Sequence, residues 1–67
     1  MRGEIKMKVG DLVRVRKNAH GTMQMVNYRG KAGKVISIEG ERVEVLFRDG
    51  QSWFYRVNSL ILRKGWA

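Results

Sequence analysis

Residues 42–57, RVEVLFRDGQSWFYRV, hold two runs in which apolar and polar residues alternate, one on each side of Asp49-Gly50. Such alternation marks a half-buried strand, and an Asp-Gly pair between two such runs marks a hairpin. Two registers are open. A two-residue loop sets Val45 opposite Phe54 and Val43 opposite Arg56, which turns Arg56 inward. A three-residue loop with Gly50 left-handed sets Val45 opposite Trp53 and Val43 opposite Tyr55, and carries Trp53, Tyr55 and Val57 into the core. A slip of one residue exchanges the two faces, and burying the Arg56 charge is the larger penalty. The second register is therefore expected, with Phe54 and Arg56 together on the outside.

The same pattern extends outward. Residues 33–38 read as a strand joined to the strand at 42–47 by a tight Glu39-Gly40-Glu41 link. Upstream, Gly10-Asp11 is a turn pair, and residues 12–17 alternate with Val13 and Val15 on one face and Arg14 and Arg16 on the other. Residues 18–32 show neither sustained alternation nor a helical stripe, although Met23, Met25 and Val26 could tuck beneath them. They read as a long loop, which in so small a domain points to a functional role. Downstream, residues 52–57 form a strand, Asn58-Ser59 a short turn, and residues 60–63 a last strand. The expected fold is all-β: a small five-stranded SH3-like barrel with a long first loop and a short turn before the last strand. It occupies residues 9–67, after a loose or edge segment at 1–8. Within that segment Met1-Arg2-Gly3-Glu4 needs purine-rich codons and Met7 follows at ribosome-binding-site spacing, which points to Met7 as the start in a bacterial or phage gene.

A 67-residue chain buries only ~60% of the surface its unfolded form exposes, which leaves little room for a large internal cavity. With no cysteine and one histidine, neither a disulfide framework nor a zinc site with the usual ligands can be assembled. Apolar runs are far shorter than the ~20 residues needed to cross a bilayer, and no secretory h-region is visible. A soluble, cytoplasmic protein is expected.

Fourteen Lys and Arg stand against six Asp and Glu, a net charge of +8. Residues 1–34 carry nine bases and two acids, whereas residues 35–67 carry five bases and four acids. No acid occurs between Asp11 and Glu39, where Arg14, Arg16, Lys17, Arg29, Lys31 and Lys34 all fall. A surface kept positive only for solubility is usually mixed in sign, so these six residues are candidates for contact with a polyanion, above all nucleic acid. Tyr28 and Phe54 are the candidate stacking platforms, with Arg56 on the Phe54 face; Trp66 is a further aromatic near the C-terminus.

Other motifs fail on context. Gly30-Lys31-Ala32-Gly33 fits the Gly-x-x-Gly of KH loops, but that loop lies between helices and here a strand follows. A phosphate-binding P-loop needs Ser or Thr after Gly-Lys and then a helix, whereas Lys34 precedes Val35 and Ile36. Gly33 instead suits a kink or close approach where a small barrel turns its corner. His20 has no Ser, Cys or second His to work with, and the carboxylates Asp11, Glu39, Glu41, Glu44 and Asp49 sit at turns or on an outer face. No catalytic constellation emerges, and neither enzyme activity nor a cofactor is expected.

With the strands placed, VGDLVRVRKNAHGTMQMVNYRGKAGKVISIEGERVEVLF at 9–47 resembles the KOW motif of ribosomal proteins and transcription elongation factors. The shared elements are Gly10-Asp11 before Val13 and Val15, then Gly30-Lys31-Ala32-Gly33-Lys34-Val35, then Val43-Glu44-Val45. The tail VLFRDGQSWFYRVNSLILRK at 45–64 is similar to the end of Tudor-like domains, with an Asp-Gly hairpin, a Tyr-Arg pair and a closing Leu-x-Leu strand. The resemblance implies RNA contacts at Arg29, Lys31 and Lys34, and RNA over DNA as ligand. The loop between Lys17 and Gly30 is longer than in a compact KOW core and carries methionines, an adaptable surface. The competing expectation is thus a protein-interaction module docking on an acidic partner. A monomer or weak oligomer is expected in either case.

Overall fold

The computed structural model describes residues 7–19, 21 and 23–63. Five strands occur in them: β1 (Leu12–Val15), β2 (Ala32–Glu39), β3 (Arg42–Phe47), β4 (Ser52–Arg56) and β5 (Leu60–Leu62). A single helical turn, α1 (Met23–Val26), lies between β1 and β2, and a 3-10 turn (Val57–Ser59) separates β4 from β5. All pairings are antiparallel, in the order β4-β3-β2-β1-β5. The result is the expected all-β, five-stranded barrel-like fold, with one difference. The sheet does not close, because no ladder joins β4 to β5.

The hairpin takes the three-residue register. Val43 pairs with Tyr55 and Val45 with Trp53, while Gly50 has φ 87° and donates its N–H to the Phe47 carbonyl at 3.0 Å. That left-handed residue is easy for glycine and strained for others, so the turn and the register share one cause. Tyr55 is buried, Trp53 and Val57 pack half-buried against the core, and Phe54 and Arg56 are exposed. Val13, Val15, Val35, Val43, Val45, Phe47, Tyr55, Leu60 and the loop residue Ala19 make up the core.

Strand β2 departs from simple alternation. Val35 pairs with Val45, but Ser37 pairs with Glu44 and Ile38 with Val43, so a bulge lies between Val35 and Ser37. Opposed residues share a face, and the extra residue therefore lets Val35 and Ile38 both point inward although they are three apart. Ile36 is displaced to the outside.

The loop between β1 and β2 is ordered by long-range bonds rather than by its own propensity. The Tyr55 hydroxyl donates to the Met25 carbonyl at 2.8 Å. The Tyr28 ring stacks on Phe47 with centroids 4.2 Å apart, and Gly30 and Lys31 continue the ladder with Val15 through bonds of 2.8 and 2.9 Å. Four helical residues would not persist alone, and here the partners lie outside the segment.

Gly33 has the role expected of it, a close approach. A Cβ built there would lie 2.5 Å from Val45 Cγ1 and 2.8 Å from the Leu46 carbonyl oxygen. Since the second contact is backbone, β2 and β3 would have to separate. Gly33→Ala should lower the unfolding free energy by about 1–3 kcal/mol, the usual range for overpacking. Denaturant titration checks this, and an unchanged midpoint would show that the strands tolerate the methyl group.

Candidate nucleic-acid interface

Seven of the nine candidate residues fall in three places. Arg14 on β1 and Lys34 on β2 are exposed, and the pairings Arg14–Ala32 and Leu12–Lys34 put them on the same outer face as diagonal neighbours. Lys34 is also opposite Leu46, so it projects between two partly exposed leucines that can cover its aliphatic stem.

The second place is the corner leading into β2. Arg29 is exposed, yet its Nε donates to the Ala19 carbonyl at 2.8 Å and its Nη2 bonds the same oxygen. The guanidinium has five N–H donors, and these two fix its direction without neutralising its charge. Tyr28 is engaged internally: besides stacking on Phe47, its hydroxyl donates to Asp49 Oδ2. Lys31 shares a small cleft with Asn27, Tyr28, Asp49, Gln51 and Trp53. The run between Asp11 and Glu39 is acid-free along the chain, but the β3–β4 turn brings Asp49 to this corner in space. The Tyr28 hydrogen bond is the main cause that holds the Asp49 carboxylate low, and the Lys31 charge acts in the same sense.

The third place is the outer face of β4. Phe54 is 37% exposed and the Arg42 guanidinium carbon lies 5.1 Å from its ring centroid. Arg42 is also the cross-strand partner of Arg56. Arg42 was not among the sequence candidates, although the favoured register already set it opposite Arg56. Arg16, just beyond β1, donates its Nε to the Asn58 carbonyl at 2.9 Å, which ties it to the turn that follows β4. Lys17 is exposed in the next turn. His20 and Trp66 lie outside the described residues.

Three of the acids are engaged by neutral donors. Asp11 accepts the Lys8 backbone N–H at 3.0 Å, Glu44 accepts the Ser52 hydroxyl at 2.8 Å, and Asp49 accepts the Tyr28 hydroxyl and the Gln51 N–H. Among the described residues no group of three His, Cys, Asp or Glu could hold a metal ion. No helix among them is long and apolar enough to cross a membrane. No protein-family model matches the chain, and neither a curated protein nor a solved structure matches it.

The Tyr28–Asp49 pair is sensitive to pH. The hydrogen bond from Tyr28, then that from the Gln51 N–H, lowers the Asp49 carboxyl below its ordinary value. The bond to Asp49 and partial burial raise the Tyr28 phenol; the nearby Trp53 indole N–H, which is buried without a well-formed hydrogen bond, works in the opposite sense. Asp49 binds its proton less readily in the folded chain, so its contribution is fully present above the ordinary value of 3.8 and is lost as pH falls through the depressed one. Tyr28 contributes below its ordinary value of 10.0, and that contribution is lost as pH rises through the raised one. In thermal melts from neutral to acid pH, Asp49→Asn should show a shallower acid loss than the parent. Parallel curves would mean that the pair contributes nothing to folding.

Proposed function

We propose that the protein is a non-enzymatic nucleic-acid-binding module that engages phosphates through Lys and Arg with little base discrimination. The observation that carries this reading is the way two arginines are held. Arg16 and Arg29 are directed by the backbone carbonyls of Asn58 and Ala19, which leaves each guanidinium oriented and charged. Ordering a long cationic side chain is an entropic penalty of binding, and here part of it is met within the fold. Lys17, Lys31, Lys34 and Arg14 supply further exposed charge. The resemblance of residues 9–47 to the KOW motif favours RNA over DNA.

Binding of a mixed-sequence single strand should weaken as salt rises, with a logarithmic slope near −4 if about six phosphates are engaged at ~0.7 per charge. Lys34→Gln, at an exposed position of β2, should weaken binding similarly for all sequences and reduce the slope by about 0.7. Absence of binding at about 20 mM salt would overturn the reading, since phosphate contacts are strongest there. Partners recovered from cell extract after nuclease digestion would then favour docking on an acidic protein.

A further inference from the structure

An open groove of about 910 Å³ runs along β4 beside the Met25 turn, lined by Met25, Arg42, Phe54, Tyr55, Arg56 and Asn58 among others. Arg42 and Arg56 stand directly opposite each other at the end of the β3–β4 ladder. Like charges in that relation are unfavourable unless an anion lies between them. Arg42 also sits over the Phe54 ring, so one cation joins the arginine pair to an aromatic surface. The rim is extended by Arg16, held on the Asn58 carbonyl. Glu41 is the one acid among the lining residues, against the two arginines inside and the third at the rim.

We propose that this groove takes an unpaired nucleotide of a single strand, with a phosphate between Arg42 and Arg56 and the base against Phe54. The proposal rests on the nucleic-acid reading above and adds the form of the ligand. A duplex offers phosphates but keeps its base faces stacked, so it can use the arginines and not the ring. A single strand can use both, because every base has a face and backbone flexibility lets it enter a concave site. The exposed part of the Phe54 ring argues for a nucleotide over an anion without a flat ring, since a base can lie against it while its phosphate meets the arginines.

Fluorescence anisotropy with the full chain at about 50 mM salt tests it, using three labelled RNA probes of about 12 nucleotides: a mixed-sequence single strand, an abasic strand of the same length, and the duplex. The intact strand should bind about tenfold more tightly than the abasic one, within the range of stacking one or two bases. Phe54→Ala should remove that difference while leaving abasic binding unchanged. Arg42→Gln and Arg56→Gln should each weaken both single strands several-fold, and Arg63→Gln, outside the groove, should weaken them less. Equal binding of all three probes, or a Phe54→Ala variant that folds and still prefers the intact strand, overturns the groove proposal and leaves phosphate binding intact. Failure of every probe to bind overturns both. Since Arg42, Phe54 and Arg56 are exposed, thermal melts of the three groove variants separate loss of the site from loss of the fold.

Discussion

The left-handed residue at Gly50 is the constraint on which the rest of the structure depends. It permits a three-residue turn between Phe47 and Gln51, and so decides which residues of β3 and β4 face inward. Val43, Val45, Phe47 and Tyr55 then meet in the core. Tyr55 and Phe47 contact edge to face with centroids 6.2 Å apart, Phe47 supports Tyr28, and the Tyr55 hydroxyl reaches the Met25 carbonyl. Three aromatic rings thus carry the order of the hairpin into the loop between β1 and β2. Desolvation of the Tyr55 phenol pushes its pKa up to about 12, so the group stays neutral and able to donate throughout the ordinary pH range.

The same register arranges the outer surface. With Tyr55 inside, Phe54 and Arg56 must lie outside, and Arg42 must lie opposite Arg56. Core and candidate site are thus two faces of one pairing, and a slip that buried Arg56 would also dismantle the groove. Elsewhere two arginines are held by backbone carbonyl oxygens, Arg16 at the groove rim and Arg29 at the corner into β2. These bonds stitch the ends of β1 and the loop into place, so Arg16 and Arg29 combine a structural task with an uncancelled charge.

Strands β1 and β3 were legible because each depends on residues two apart. Alternation in LVRV and RVEVLF matches the observed burial of β1 and β3, and the penalty on a buried arginine was enough to choose between two hairpins. The bulge in β2 was not legible. Val35, Ile36 and Ile38 are all apolar, and which of them turns outward depends on pairing with β3, not on their order. Nor was α1, whose four residues carry no helical stripe and are held by Tyr55 and the neighbouring turns.

For the candidate site, the sequence by itself determined the amount and sign of charge, its concentration in the first half, and the pairing of Phe54 with Arg56 on one face. It also contained Arg42 opposite Arg56, a consequence of the register that composition alone does not flag. Only the tertiary structure decided how those charges are shared out. It brought Asp49 to Lys31 from far along the chain, turned Tyr28 from a candidate platform into a ring packed on Phe47, and set Met25 across a groove from Phe54. The physical reason is range. Alternation and turn chemistry act between near neighbours in sequence, whereas stacking, charge pairing and concavity depend on which distant segments the folded sheet brings together.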